Sequence, residues 1–187
     1  MSTMHCSLLS LGCAFGFAPP VILNLTALRA LKIAQRRLRP EVRSKLLGIS
    51  SARTDATFVP QAWRFVFSDS TTNGHCRVVT VAARASSEHP DTVRAFSSIK
   101  PESGASLRAI PQNKLLFDSN KVLERVRGTS KLKGSQSAEY RLCWPPNGRE
   151  TSWHLSFYDK AAQPMASFRI DANTGAIKLV EDNVNAD

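Results

Sequence analysis

The chain has 187 residues, enough for one domain of ordinary size or for two very small domains that share a core. Its 42% hydrophobic and 21% charged residues are typical of a globular protein and exclude a chain that is disordered throughout. The formal net charge of +10 indicates either solvated basic surfaces or an anionic partner, such as nucleic acid, lipid headgroups or a cell-surface polymer.

The N-terminal segment has the composition of an export signal. Residues 1–28 contain no Lys, Arg, Asp or Glu, and residues 7–18 are apolar or small. No basic residue precedes this run, and Pro19-Pro20 interrupts it before the roughly 20 residues that a membrane span needs. We therefore expect residues 1–24 to be an export signal or a disordered N-terminus, with no transmembrane helix in the mature chain. The predicted location is periplasmic or secreted, and the alternative is cytoplasmic.

Residues 25–85 are predicted to form a first module that begins with a basic helix. Leu28, Leu31 and Leu38 recur on one helical face, and Pro40 ends the helix or starts a further turn. A first strand is expected over 45–50 and a second over 63–67, where apolar and polar residues alternate. The Asn73-Gly74 dipeptide favours a hairpin, so residues 76–83 should pair back antiparallel.

Residues 86–112 are rich in Ser, Pro and Gly and are predicted to connect the modules, with a short strand around 92–96. The second module, residues 113–182, should begin with a helix over 119–127 that is capped by Asp118 or Ser119. Strands are expected over 138–144, 153–158, 166–171 and 176–180. Residues 183–187 are predicted to be a frayed tail.

The positive charge is concentrated in the two segments that we predict to be helical. Residues 24–50 hold seven Lys or Arg against one Glu, a net of +6, and residues 113–134 hold six against two acids, a net of +4. The candidate polyanion contacts are Arg29, Lys32, Arg36, Arg37, Lys121 and Arg125. The alternative is that both helices simply expose solvated basic faces.

Two stretches ninety residues apart share one pattern. The run from Trp63 to Asp69 matches the run from Trp153 to Asp159 at its aromatic, apolar and acidic positions. A duplicated module accounts for this match, although the pattern is also a common one for a half-buried strand. The residues that define the pattern are Trp63, Phe67, Asp69, Trp153, Phe157 and Asp159.

The second half ends in Ile170-Asp171-Ala172-Asn173-Thr174-Gly175, after a strand that carries a Trp and a second aromatic residue. This arrangement, with Asp171 and Gly175 as motif residues, resembles a PepSY-type module. The first half resembles it more loosely, because it lacks the Asp-x-x-Thr-Gly ending. The resemblance implies an α+β fold of two tandem modules, each with one helix on a three-stranded antiparallel sheet. It also implies a protein that binds or inhibits peptidases, or regulates membrane-associated partners.

No catalytic or metal-binding pattern is present in the sequence. The four histidines, His5, His75, His89 and His154, are scattered, and there is neither His-Glu-x-x-His nor Cys-x-x-Cys. His154 is expected at the surface of its strand, and Asp69 and Asp159 are expected to start turns. We therefore predict no enzyme activity, no cofactor and no metal.

Cys76 and Cys143 lie on predicted strands, one in each half. In an oxidising compartment they could form a disulfide, and the alternative is two unpaired thiols. The functional prediction is a non-catalytic PepSY-like protein that binds or inhibits a protein partner, such as a peptidase or an envelope protein. The alternative is a protein that binds nucleic acid or another polyanion through its two cationic helices.

Overall fold

The structure, a computed structural model, describes residues 23–69, 71, 76–85, 93–100, 108–129, 132–144 and 150–182. Residues 1–22 of the N-terminal segment 1–24, predicted to be an export signal or disordered, lie outside these residues, as do the Asn73-Gly74 turn and the tail 183–187; residues 23 and 24 form a short strand. The helices are α1 (Ala27–Arg36), α2 (Pro40–Arg43) and α3 (Ser119–Arg127), with a 3₁₀ turn at Gln112–Lys114. The strands are β1 (Leu23–Asn24), β2 (Leu46–Ser51), β3 (Ala62–Ser68), β4 (Cys76–Ala82), β5 (Arg84–Ala85), β6 (Val93–Ile99), β7 (Ser137–Cys143), β8 (Ser152–Tyr158), β9 (Pro164–Asp171) and β10 (Ile177–Asp182).

Eight of these strands form one antiparallel sheet in the order β10-β9-β8-β7-β2-β3-β4-β6, and β1 pairs separately with β5. Each half of the chain contributes four neighbouring strands to this sheet. The predicted fold of two modules, each with one helix on a three-stranded sheet, is therefore wrong. Instead, strands of both halves form one continuous eight-stranded sheet, accompanied in the described residues by a few short helices.

The two halves merge because β2 and β7 pair at the centre of the sheet. Ile49 lies opposite Leu142, and Gly48 lies opposite Cys143. A Cβ atom at Gly48 would lie 3.3 Å from the Leu142 carbonyl oxygen, so glycine permits a close approach there. Each strand would otherwise be an edge with unpaired backbone groups, and mutual pairing removes both edges.

The predicted connection 86–112 contains an additional strand. Residues 93–99 form β6, which pairs with β4 from Val81 to Cys76 and makes one edge of the sheet. The predicted short strand around 92–96 overlaps its first half. An edge strand pairs on one side only, so its alternation of apolar and polar residues is less strictly determined. The sequence pattern therefore predicted only part of β6.

The helices follow the apolar periodicity of the sequence. α3 occupies the predicted residues, and Pro40 starts the short helix α2 after α1 has ended. The side chain of Thr26, the residue before α1, makes no capping hydrogen bond. Instead the Leu28 amide donates to Asp118 Oδ1 at 3.0 Å, and the same oxygen accepts from the Ser119 amide at 2.7 Å. One carboxylate therefore caps the N-termini of both helices.

The helices cover one face of the sheet, and the hydrophobic core lies between them and the strands. The Trp63 and Trp153 rings meet edge to face at its centre, with centroids 6.4 Å apart. Trp63 Nε1 donates to the Leu25 carbonyl at 2.9 Å, and Trp153 Nε1 donates to the Phe117 carbonyl at 2.8 Å. Both carbonyls belong to residues that immediately precede a helix cap, so each indole ties one helix to the sheet.

Candidate functional site

The face of the sheet opposite the helices carries polar side chains that alternate with the core residues. Four strands each place a cationic or titratable residue between two buried apolar ones. These triplets are Trp63-Arg64-Phe65 on β3, Tyr140-Arg141-Leu142 on β7, Trp153-His154-Leu155 on β8 and Phe168-Arg169-Ile170 on β9. Since successive side chains point to opposite faces, the central residue of each triplet lies on the face away from the core. We call this surface the open face.

The strand register brings these central residues into one line that crosses the sheet. Arg64 pairs with Ser50, Ser50 with Arg141, Arg141 with His154, and His154 with Arg169. We call these five residues the transverse row. Neighbouring strands lie about 4.8 Å apart, so the row is roughly 19 Å long. An extended ligand lying across the strands would meet three arginines in sequence.

Two cavities on the open face follow this row. The larger, about 560 Å³, extends from Thr80 on β4 across β3 and β2 to β7. The second, about 340 Å³, lies between β7 and β8. Both are lined by Glu139, Arg141 and Cys143, so they join at β7 into one groove. The groove is long enough for several residues of a bound chain.

The electrostatics of the groove favour an anion. Of the described residues that line the two cavities, Glu139 is the one acid. Its carboxylate accepts from the Tyr158 hydroxyl at 3.2 Å and lies 3.6 Å from the Arg141 guanidinium. Arg53 adds a further cation, because its guanidinium lies 3.7 Å from the centre of the Tyr158 ring. Glu139 thus offsets only one of the cations on this face.

Two polar atoms on or beside the row are buried without a hydrogen-bond partner among the described residues. They are Arg169 Nε and Ser152 Oγ. Most buried donors in folded proteins are satisfied, and an unsatisfied donor costs about 1–3 kcal/mol. Neither residue lines the two cavities, so these donors do not by themselves point to a ligand in the groove.

Cys76 and Cys143 are free thiols, so of the two alternatives that the sequence left open the structure shows the unpaired one. Cys76 lies on β4 and Cys143 on β7, with β3 and β2 between them. Three strand intervals amount to about 14 Å, whereas a disulfide needs Cα atoms within roughly 7 Å. Burial raises the pKa of the Cys143 thiol, and Arg141 and Arg169 offset only part of that rise. The groove thiol is therefore a poor nucleophile near neutral pH.

The predicted pattern residues have structural roles. Trp63, Phe67, Trp153 and Phe157 are fully buried in the core. At the end of β9, Asp171 Oδ1 accepts from the amides of Asn173 and Thr174, which closes the turn that leads to β10. Gly175 follows with a φ of +73° and packs against the ring of Phe117. The motif that resembles a PepSY-type ending thus holds a tight turn against the entry to α3.

Asp69 and Asp159 both act in turns, as predicted. Asp159 Oδ1 accepts from the Gln163 amide at 2.8 Å. Asp69 is only 1% exposed and accepts from the hydroxyl of Thr71 at 2.6 Å and from Arg77 at 3.1 Å. The hydrogen bond from the Thr71 hydroxyl is the largest cause that lowers the pKa of Asp69 to about 2, and Arg77 lowers it further.

The six predicted polyanion contacts are solvent-exposed on α1, the residue after it, and α3: Arg29, Lys32, Arg36, Arg37, Lys121 and Arg125. The helices meet at their N-terminal ends, where Ala27 N donates to Ser119 Oγ at 3.0 Å. Arg36 and Arg37 lie at the opposite end of α1, and Lys121 and Arg125 lie over the ring of Phe117. These cations cover two helix surfaces and line none of the open-face groove.

Sequence reasoning missed the transverse row. In each triplet the alternation of apolar and polar residues can be read from the sequence, and His154 lies on the polar face of its strand, as predicted. The row itself depends on which strands are neighbours, and the β2–β7 pairing joins residues that are far apart in sequence, such as Ser50 and Arg141. A search for strands with an apolar, cation, apolar pattern would have found the four triplets but not their alignment.

Among the described residues, no three His, Cys, Asp or Glu side chains are grouped so that they could hold a metal ion. His5, His75 and His89 lie outside this part of the chain. No helix in the described ranges combines the length and the apolar character that a membrane span requires.

No family model matches this chain, and no curated protein sequence matches it. Among solved structures, the chain is similar to a protein of Clostridium difficile 630 described as a candidate lipoprotein. The match covers 86% of this chain and 95% of that protein, with a TM-score of 0.59 and 12% sequence identity. At this level of identity the likeness shows a shared fold, and a fold can host unrelated functions.

Proposed function

We propose that this chain is a non-catalytic, exported binding protein whose open face holds an acidic segment of a partner protein. The observation that carries the proposal is the transverse row, in which Arg64, Arg141 and Arg169 lie in line across the open face. Arg64 and Arg141 also line the groove, whose described lining contains one acid. Charge complementarity of this kind selects an anionic partner and speeds its association.

The contacts of the row support reversible binding. Arg64 and Arg141 are exposed, and each ion pair that an exposed arginine makes is worth about 0–1 kcal/mol. Arg169 is partly buried, so its contact with an acid is screened less by water and salt. A ligand that reaches all three should bind with moderate affinity and should be released as the ionic strength rises.

Export is supported by the uncharged N-terminal residues 1–28 and by the likeness of the fold to a candidate lipoprotein. The PepSY-type resemblance of residues 113–182 stays a prediction, and it favours a protein partner such as a peptidase or an envelope protein. The raised pKa of the Cys143 thiol in the groove supports binding rather than covalent chemistry.

The test compares two triple variants with the same loss of charge. The first, Arg64→Gln, Arg141→Gln and Arg169→Gln, removes the three arginines of the transverse row. The second, Arg29→Gln, Lys32→Gln and Arg36→Gln, removes three cations of α1 and serves as the matched control. Binding of fluorescent Glu-rich peptides is measured by anisotropy at an ionic strength of about 0.15 M.

We expect the open-face variant to lose at least about tenfold in affinity and the α1 variant to bind as the unaltered chain does. The opposite result would assign the interaction to the helices and would support the alternative of a polyanion-binding protein. If the unaltered chain binds no acidic peptide under these conditions, the proposed function is wrong.

A further inference from the structure

The spacing of the arginines in the transverse row restricts the ligand further. We propose that the acidic segment binds in the polyproline II conformation, runs across the strands and carries an acidic residue at every third position. This inference rests on the proposed function and adds the conformation and the sequence spacing of the ligand.

The three arginines repeat at a regular interval. Arg64 lies on β3, Arg141 on β7 and Arg169 on β9, and one strand separates each consecutive pair. Two strand intervals amount to about 9.6 Å, so the Cα atoms of the three arginines lie at about 0, 10 and 19 Å along the row. A matching ligand presents carboxylates on one side with a repeat of roughly 10 Å.

Polyproline II has this repeat. It has three residues per turn and a rise of about 3.1 Å per residue, so every third side chain lies on the same side at intervals of about 9.3 Å. In an extended β-strand, side chains on one face repeat at about 6.8 Å, and the second acid would already be misplaced by about 3 Å. The row therefore disfavours a ligand in the β conformation.

In an α-helix with an acid at every seventh residue, the acidic side chains recur at intervals of about 10.5 Å, so the spacing alone does not exclude a helical ligand. The residues between the arginines distinguish the two conformations. Ser50 and His154 occupy these positions, and both carry hydrogen-bonding side chains that line the groove. A polyproline II ligand exposes its backbone carbonyls to such groups, whereas a helix uses its carbonyls internally.

The experiment uses the full chain and four synthetic peptides that each carry three Glu. The first is a Glu-Pro-Pro repeat, and the second has the same composition with the Glu residues placed together in one block. The third alternates Glu with Thr to favour an extended strand, and the fourth is an Ala-based helical peptide with Glu at every seventh position. Affinities are measured by isothermal titration calorimetry at an ionic strength of about 0.15 M.

We expect the Glu-Pro-Pro repeat to bind about tenfold more tightly than the block peptide and than either of the others. Equal affinity for the repeat and the block peptide would overturn the inference on spacing and leave the proposed function intact. Tighter binding of the helical or the alternating peptide would overturn the inference on conformation. If none of the four peptides binds, both the inference and the proposed function are wrong.

A double-mutant cycle tests the register directly. Replacing the central Glu of the repeat peptide by Gln should weaken binding to the unaltered chain about fivefold and should have little further effect on the Arg141→Gln protein. Independent effects would overturn the assigned alignment. The same cycle with Arg64→Gln and the peptide's terminal Glu provides a second measurement, because Arg64 is exposed and its loss should leave the fold intact.

Discussion

The two faces of the sheet are built from the same strands, yet they hold different kinds of side chain. On the covered face, Trp63, Phe65 and Phe67 of β3 are at most 1% exposed and pack under the helices. On the open face, Arg64 lies between these residues in sequence and is exposed. Substitutions on the covered face should therefore lower stability, whereas those on the open face should lower binding.

The largest effect is expected for Gly175→Ala. A Cβ atom there would overlap the ring of Phe117, and the φ of +73° is unfavourable for alanine. We expect the free energy of unfolding to fall by about 2–4 kcal/mol, measured by urea denaturation. The control is Gly128→Ala, because a Cβ at Gly128 has no neighbour within 4 Å. Equal losses at the two positions would contradict the packing described for the turn after β9.

Trp153→Phe should have the next largest effect. The substitution removes the hydrogen bond to the Phe117 carbonyl and leaves a cavity beside Trp63. We expect a loss of about 2–3 kcal/mol in the free energy of unfolding, and a similar loss for Trp63→Phe. Trp144→Phe is the control, because Trp144 is half-buried and packs against Arg108 at the surface. A loss at Trp144 as large as at Trp153 would argue against a core centred on the two indoles.

Asp69 makes the stability of the covered face depend on pH. The pKa of this carboxyl is lowered from 3.8 to about 2, so its ionised form stabilises the fold above pH 3.8. That contribution is lost as the pH falls through about 2. Urea midpoints measured from about pH 5 to about pH 2 should fall less steeply for Asp69→Asn than for the unaltered chain. Parallel curves would show that Asp69 does not contribute to acid sensitivity.

The smallest effect on stability is expected on the open face. Arg64→Gln, Arg141→Gln and Arg169→Gln should each change the free energy of unfolding by no more than about 0.5 kcal/mol. The three arginines lie on the face of the sheet away from the core, so their loss should affect binding more than stability. A loss of several kcal/mol from the triple variant would show that the open face also holds the fold together.

Alternation and helical periodicity predicted the local structure well. They located α3 at Ser119–Arg127 and gave the antiparallel pairing of β3 with β4. They also placed Trp63 and Trp153 on buried strand faces. Each of these features depends on residues that are close in sequence, where the period of the pattern determines which side chains are buried.

The architecture of the sheet and the candidate site could not be predicted in this way. The pairing of Gly48 with Cys143 joins distant segments, and a period of two shows which face a residue lies on but not which strand is its neighbour. The same limit applies to Arg64, Arg141 and Arg169, whose alignment depends on that pairing. The capping of α1 by Asp118 is also a long-range contact, since the residues lie ninety positions apart.

The shared cap at Asp118 has a consequence for how the molecule loses its structure. The positive ends of two helix dipoles converge on Asp118, which is the N-cap of α3, so displacing α3 leaves α1 without its counter-charge. Together with the β2–β7 pairing at the centre of the sheet, this shared cap leads us to expect the N-terminal and C-terminal halves to melt together. Heating should produce one calorimetric transition, with equal van't Hoff and measured enthalpies, although the chain is assembled from two sets of four strands.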